Sequence, residues 1–541
     1  MDQRTSRFLP LVAAVLALAG CSGDDSDADS SVAAPDMTTD GTGGVSAGAP
    51  ARPGVAAPAP GGPDSADGDD ASAGADQGVV PESGDTPVEP VDPAVTADAT
   101  TFFFSYDESA STAARDLTLF ALDEGLRPAP RLGRPYEFLN AERFAPFDPR
   151  PLGDFTASMT LRRAMTGDVP LPTEIDGTLY ALGVNLQAPP LPLAERPNLV
   201  LTVLIDVSGS MDSPYASETR TDVRSLLDVV RHGLSRIGPS LKAGDVLSLV
   251  TFSTTADVIL EGAGPTTGEF EAAVATLSTE GSTNIRLGVD TAYAVANRLY
   301  DPDKANRVLI LTDAMVNTGE LDPARIAEAT VVGGREGILF SGVGIGSGFD
   351  DRVLDGITEA GRGTYSAMIT PSDAERLFGE GFSRFVSPAA TDVRFRLTYP
   401  QALDQLRSFG EEISTVAEEV RTVNFSHGAG QFFLELFTGP DALDADSVLE
   451  LGATYTDPAG ERREVVQARS VGELLANGTG ELDAALAVTT LAELVAGRLE
   501  CAAVRTSGLY FRPTTNATYE SYRGYVDRFC DQEPPYRYVD Y

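Results

Sequence analysis

The sequence predicts an α/β protein: a doubly wound, mostly parallel sheet, flanked by a β-rich domain formed from segments before and after it. Three observations carry this. Between about Pro197 and Ser387 the apolar runs "NLVLTVLID", "DVLSLVTF", "RVLILTD" and "GILFSGVGIG" alternate with helical stretches such as Ile285 to Leu299 and Pro323 to Glu336, the pattern of parallel strands joined by crossover helices. "NLVLTVLID" is apolar almost without interruption, as a central strand covered on both faces must be. On either side of this block the pattern changes to alternation, in "TLYALGVNLQA" before it and in Asp392 to Tyr399 and Val423 to Thr438 after it, which reads as half-buried antiparallel strands. The two flanks share that signature, so they are expected to form one domain into which the central block is inserted.

In chain order, the N-terminus reads as an address. Arg4 and Arg7 precede a short apolar stretch, Phe8 to Ala19, which ends in "LAGC", Leu18 to Cys21; the stretch is too brief to span a bilayer as a lone helix. It resembles the bacterial lipobox, which implies removal of residues 1–20 and lipidation of Cys21. Ser22 in place of Asp after that cysteine implies, by analogy with enterobacterial sorting, the outer membrane of a Gram-negative cell envelope. Residues 21–97 are rich in Ala, Gly, Ser, Pro and Asp, with Arg52 as the sole basic residue. They are too poor in apolar groups to offset the entropy of ordering, so a disordered acidic tether with a mean reach of roughly 50 Å is expected. An N-terminal flank of strand and helix occupies 98–196, opening with "TFFFSYDESASTAARDLTLFALDEG", and the central block occupies 197–387. A β-rich C-terminal flank, 388–480, contains a hairpin around "YTDPAGE"; a helix from about Glu481 to Leu499 then opens the last segment, 481–541. That segment holds Cys501 and Cys530, an even pair once Cys21 is set aside. A disulfide between them would contribute roughly 3 to 4 kcal/mol in an oxidising compartment, and two buried free thiols are the alternative.

Composition narrows the function classes. The 541 residues carry Asp+Glu 80 against Lys+Arg 40, a formal charge of −40, which argues against nucleic acid or an anionic membrane surface as a partner. The lipid anchor would be the membrane contact. The helix "TDVRSLLDVVRHGLSRI" sets Val223, Leu226, Leu227, Val230, Leu234 and Ile237 on one stripe, leaving His232 off it and solvated. His427 lies between strands, and with only these two histidines no Ser/His/Asp hydrolase or His-based zinc site assembles. "GVGIGSG" misses the G-x-G-x-x-G register and reads as a strand end and turn.

The site follows from topology. In open α/β sheets ligands sit beyond the carboxyl ends of the strands, where the strand order reverses. Asp206, Ser208 and Ser210 follow the first strand in "LIDVSGSMDS", Asp313 ends "RVLILTD", and the loop "EGSTNIRLG" brings Thr283 to the start of a helix. If the two strands are neighbours, these oxygen-bearing side chains face one point. Such a set suits a hard divalent cation, Mg²⁺ first, with Mn²⁺ or Ca²⁺ as alternatives.

"DVSGS" together with Thr283 and "LTDA" resembles the metal-ion-dependent adhesion site of von Willebrand factor A domains. The resemblance covers the central block and implies a Rossmann-like fold. It implies that Ser208, Ser210 and Thr283 bind the metal directly and that Asp206 and Asp313 do so directly or through water. It further implies a protein partner whose Asp or Glu completes the coordination, in adhesion or assembly and not in catalysis. Some bacterial lipoproteins have a similar layout of flank, central domain and flank, and "PYEFLNAERF" resembles their N-terminal flank. Two positions depart from the family: Ala314 and Ser282 stand where it usually has Gly.

Rival readings remain for the same residues. "DVSGS" could be a polar turn in which Ser208 and Ser210 cap the following helix, or the domain could be a scaffold with an inactive metal site. An enzyme of the haloacid dehalogenase type also begins with an Asp after its first strand, but its D-x-D motif needs a second carboxylate as acid/base, and Ser208 stands there. The later acids in "FDDRVLDG" have no well-placed Lys beside them.

Overall fold

The computed structural model describes residues 99–105, 111–164, 169, 177–215, 225–335 and 337–536. The signal segment 1–20, the lipobox with Cys21, the tether and Val223 lie outside the described residues.

The N-terminal flank supplies β1 (Ala99–Ser105), α1 (Ala113–Asp123), α2 (Pro135–Ala141), β2 (Arg150–Leu152), β3 (Phe155–Ala164) and β4 (Thr178–Gln187). The central block runs β5 (Leu199–Asp206), α3 (Leu226–Leu234), β6 (Val246–Phe252), β7 (Ala256–Ala263), α4 (Glu269–Ala275), α5 (Ile285–Arg298), β8 (Ala305–Thr312), α6 (Pro323–Arg335), β9 (Ile338–Ile345), α7 (Asp351–Ala360), β10 (Arg362–Met368), α8 (Pro371–Phe378) and the single turn α9 (Ser383–Val386). The C-terminal part adds β11 (Pro388–Pro400), β12 (Asp404–Ser408), β13 (Glu412–Ser414), β14 (Val423–Ser426), β15 (Gly430–Gly439), β16 (Val448–Thr456), β17 (Arg462–Ser470), α10 (Val471–Ala476), α11 (Gly480–Val495), α12 (Cys501–Thr506) and α13 (Ala517–Cys530).

The central sheet has the order β10-β9-β8-β5-β6-β7 and is parallel except for β7 on β6. β5 is buried along its whole length, as its apolar run requires. Leu199, Leu201, Val203 and Ile205 pack with Leu227 and Val230 of α3, Phe270 of α4 and Leu377 of α8. Leu204 faces the opposite core, with Ile285 and Val289 of α5, Ile326 of α6 and Leu354 of α7. Helices therefore cover both faces, and the strand order reverses around β5. Two strands were not anticipated. The edge strand β7 is mostly exposed and its apolar run, Val258 to Leu260, is only three residues long, too short to signal a strand, and β10, "RGTYSAM", has too few large apolar residues to signal one.

The flanks join as expected: one sheet has the order β13-β1-β11-β16-β17, with β14 also on β11, and the other β12-β15-β4-β3-β2, each mixing strands from before and after the central block. Their facing sides form a shared core that includes Phe102, Phe104, Phe395, Phe433, Leu182 and Val184. The expected half-burial needs correction for β4 and β15: every residue from Thr178 to Leu186 and from Gln431 to Phe437 is buried. Their second faces, with Leu179 and Ala181 of β4 and Leu434 and Leu436 of β15, meet Leu482, Ala485 and Leu486 of α11, so the helix takes the place that solvent was given.

α11 itself is buried from Leu482 to Val495, the all-round apolarity of a helix inside a core. Among the described residues no helix is long and apolar enough to cross a membrane. The core that holds α11 continues through Leu117 of α1 and Phe138 of α2 into Phe349 and Tyr365 of the central block. Buried charge pairs lie along this junction: Arg162 with Asp483, Arg407 Nη2 with Glu493 Oε1 at 2.7 Å, and Arg134 Nη1 with Asp351 Oδ2 at 3.0 Å. Cys501 and Cys530 are disulfide-bonded, tying the start of α12 to the end of α13. α3 starts only at Leu226, where Ser225 accepts the Asp228 N–H at 3.2 Å. Leu227, Val230 and Leu234 are buried as expected, whereas Leu226 is half-buried and Val229 fully buried. His232 is not solvated: its Nε2 lies 3.6 Å from Glu375 on α8, the helix packed against α3.

Candidate metal centre

β5 and β8 are neighbours, with Leu199 to Ile205 opposite Ala305 to Leu311, so Asp206 and Asp313 both emerge at the carboxyl edge of the sheet, Asp313 one residue further along. After Asp206 the chain tightens into a 3-10 turn, Gly209–Asp212. The Ser208 N–H donates to Asp206 Oδ1 at 2.8 Å, and the Ser208 and Ser210 hydroxyls lie 3.0 Å apart. Ser210 also hydrogen-bonds Asp313, whose Oδ1 accepts the Met315 N–H at 3.1 Å. The third loop is fastened to both of the others. The Gly209 N–H donates to Gly281 O at 3.1 Å and the Glu280 N–H to Val207 O at 2.6 Å. On the far side Asn317 Oδ1 accepts the Thr283 N–H at 2.8 Å, and Thr283 O accepts the N–H groups of Asn317 and Thr318. All five expected ligands thus sit on loops clamped to one another at the point where the strand order reverses.

Two side-chain observations give this cluster chemical meaning. The first is Thr283, fully buried, whose Oγ1 has no hydrogen-bond partner among the described residues. A buried hydroxyl left unpaired costs about 1 to 3 kcal/mol, so its presence fits a site completed by something it could coordinate. The second is the pair of buried acids. Burial, with the neighbouring Asp313 carboxylate adding to it, pushes Asp206 up to about 7 against hydrogen bonds from Thr312 and Ser208. Burial also raises Asp313, against hydrogen bonds from Ser210 and the Met315 N–H. Among the described residues no cationic side chain answers these acids; the partners they have are hydroxyls and backbone N–H groups. Among the described residues no group of three or more His, Cys, Asp and Glu could hold a metal, so a cation here must rest partly on neutral oxygens. The donor set, two carboxylates and three hydroxyls, suits a hard cation.

The rival structural roles find no support in the hydrogen bonding. Ser208 stands at the start of the 3-10 turn without a capping bond from its side chain, and α3 has its own cap in Ser225. The late acids are engaged elsewhere: Asp350 caps α7 and pairs with Arg352, and Asp351 is fully buried against Arg131 and Arg134.

The two departures differ in consequence. At the Gly281–Ser282 step the left-handed residue is Gly281, with φ of 68°, so Ser282 needs no glycine; its N–H donates to Thr254 Oγ1 at 2.9 Å. Ala314, in contrast, is held at φ of 54° and is almost fully buried, a conformation that costs a residue with a Cβ roughly 1 to 2 kcal/mol. Sequence reasoning missed Thr312 and Asn317. Thr312 Oγ1 donates to Asp206 Oδ2 at 2.5 Å and accepts the Ala314 N–H at 2.8 Å. Strand register could have found it, because Ile205 pairs with Leu311 and the next residues along, Asp206 and Thr312, then fall side by side. Asn317 carried no such signal.

The fold and the cluster together define a class, the von Willebrand factor type A domain, and the model of that family matches residues 201–315. The central block therefore has the fold of this class. The chain is 28% identical over 330 residues to the uncharacterized protein YfbK of Escherichia coli (strain K12), covering 58% of this chain and 54% of that one. It is 25% identical over 268 residues to mouse inter-alpha-trypsin inhibitor heavy chain H3, covering 47% of this chain and 28% of the mouse protein. The matches thus span about half and about a quarter of the length of these two relatives. Among solved structures, a von Willebrand factor type A protein from Catenulispora acidiphila matches with a TM-score of 0.38 at 15% identity, over 65% of this chain and 82% of that one.

Proposed function

We propose that this is a cell-envelope lipoprotein, anchored through Cys21 to the outer membrane, whose von Willebrand factor type A domain binds a divalent cation and, through it, an acidic group on a protein partner. The observation that carries the proposal is the buried Thr283 hydroxyl, without a hydrogen-bond partner among the described residues, on a loop hydrogen-bonded to those that follow Asp206 and Asp313. Domains of this type commonly bind a divalent cation and generally mediate interactions between proteins. Ser208, Ser210 and Thr283 would hold the ion through neutral oxygens, and Asp206 and Asp313 would balance part of its charge, directly or through water. A bound cation, Mg²⁺ first, supplies an incompletely neutralised Lewis acid that can accept one more carboxylate oxygen. The protein's part is to keep the three loops in place through Gly281, Thr312 and Asn317, so that little rearrangement is needed on binding. In a chain of formal charge −40, a cation also lets one acidic surface hold another.

The test is capture of envelope proteins by the immobilised full chain, with Mg²⁺ or with chelator, for wild type and Ser208→Ala. Capture should require Mg²⁺ and be lost in the variant, with no phosphoester turnover. Capture indifferent to both would leave the domain as a scaffold with an inactive site. In cells, Cys21→Ala should move the protein out of the membrane fraction; retention after a salt wash would contradict the anchor.

A further inference from the structure

Away from the strand-end cluster, a cavity of about 420 Å³ opens where three parts of the chain meet. α2 and the residues after it bring Asn140 and Arg143, the last turn of the central block brings Arg384 and Phe385, and the β-rich flank brings Phe425 and Gln431. An adjoining cavity of about 280 Å³ shares Asn140, Arg143, Arg384 and Gln431. None of the five candidate metal ligands lines either one.

Several polar groups meet here. Asn140 is 8% exposed and its Nδ2 has no hydrogen-bond partner among the described residues. Gln431 is 4% exposed. Among the described residues the guanidinium groups of Arg143 and Arg384 make no ion pair, in a protein where acids outnumber bases two to one. The two carboxylates nearby are already engaged: Glu142 with Arg115 at 2.6 Å and the Tyr522 hydroxyl at 2.8 Å, and Glu375 with Arg236 at 3.3 Å. The Arg384 side chain is held below its ordinary pKa by burial and, after that, by the charges of Arg143 and Arg376. Arg376 has acidic partners of its own, Asp116 and Asp373. Like charges gathered in a partly buried space without an anion are unfavourable, and each unpaired buried donor adds its own cost. An oxyanion would relieve both, because a guanidinium offers paired N–H donors to a carboxylate or phosphate. Phe385 and Phe425, both buried, supply apolar wall beside that polar end.

We propose that this cavity binds a small molecule in which a compact oxyanion, carboxylate or phosphate, is attached to an apolar body, with Arg143 and Arg384 holding the anion and Asn140 and Gln431 completing its hydrogen bonds. A junction between parts of a chain is a common place for such a pocket. The ligand would tie the central domain to its flanks, and binding is independent of the cation site.

The test uses the full chain and three probes of similar body: benzoate, phenyl phosphate and neutral benzyl alcohol, followed by saturation-transfer NMR and titration. At least one of the two anions should bind about tenfold or more tightly than benzyl alcohol, and the tighter one names the head group. Arg143→Gln and Arg384→Gln should each weaken the anion about tenfold and leave benzyl alcohol unchanged, whereas Ser208→Ala should bind like wild type. Arg143 is exposed, so its variant keeps the fold and is decisive by itself. Benzyl alcohol binding as tightly as both anions, wild-type affinity in Arg143→Gln, or no saturable binding of either anion would overturn the proposal.

Discussion

Buried carboxylates are handled in two ways in this molecule. At the base of the central sheet Asp245, fully buried, meets Arg196 Nη2 at 2.6 Å and accepts the N–H groups of Leu199 and Lys242 at 2.8 Å; Asp351 and Asp483 likewise meet arginines. At the opposite, carboxyl edge Asp206 and Asp313 are as deeply buried but face hydroxyls and each other. The desolvation cost is similar in both places. At the base it is met by an arginine of the same chain, and at the carboxyl edge, among the described residues, by hydroxyls and backbone N–H groups. The proposed cation site would use that contrast.

The largest expected effect breaks the structural case. Arg196→Met leaves Asp245 buried without its counter-charge and should cost about 3 to 5 kcal/mol in urea unfolding. A loss near zero would show that backbone N–H groups suffice there, which would remove the contrast with Asp206. Glu435 sharpens the comparison from a third direction. It is buried with neither an arginine nor a second acid, its oxygens accepting from Ser408 and Gln405 at 2.8 and 3.0 Å, and burial pushes it up to about 8 against hydrogen bonds that lower it. A raised carboxyl favours the folded state while it stays protonated. Its contribution is present below the ordinary Glu value of 4.5 and is lost as pH rises toward about 8. Glu435→Gln should abolish that slope and make the variant the more stable protein at neutral pH, by a few kcal/mol at most. Parallel pH–stability curves for variant and wild type would contradict it. The smallest effect concerns Ala314, left-handed at φ of 54°. Ala314→Gly should gain about 0.5 to 1 kcal/mol, whereas the same change in a helix, at Ala296 in α5, should lose about 1 kcal/mol.

Where burial is simple, the sequence was easy to read. β5 is apolar throughout because both its faces are covered, and "DVSGS" and Asp313 mark two strand-end loops that converge because β5 and β8 are neighbours, while Thr283, between α4 and α5, is brought in by backbone hydrogen bonds. Legibility failed where a second layer intervened. β4 alternates in sequence, yet α11 covers the face that alternation assigned to solvent. β7 lies at an edge with most of its side chains exposed, and its three-residue apolar run, Val258 to Leu260, is too short to announce it. Around the site, Thr312 reads as an ordinary β residue until the register places it beside Asp206. Arg143, Arg384 and Gln431 come from three separate parts of the chain, and no local pattern links them.

The strand-end cluster is tested most directly through Thr283. Thr283→Val keeps the shape of the side chain and removes only the hydroxyl that has no partner, so in metal-free protein the variant should be as stable as wild type or more so. Thermal unfolding of the full chain with Mg²⁺, Mn²⁺ and Ca²⁺ in turn should then separate the two proteins. Wild type should gain about 2.7 kcal/mol at a hundredfold excess of a bound cation over its Kd, and Thr283→Val should gain little or nothing at the same concentration. An equal response of both proteins, or no response of wild type to any of the three ions, would contradict the metal centre.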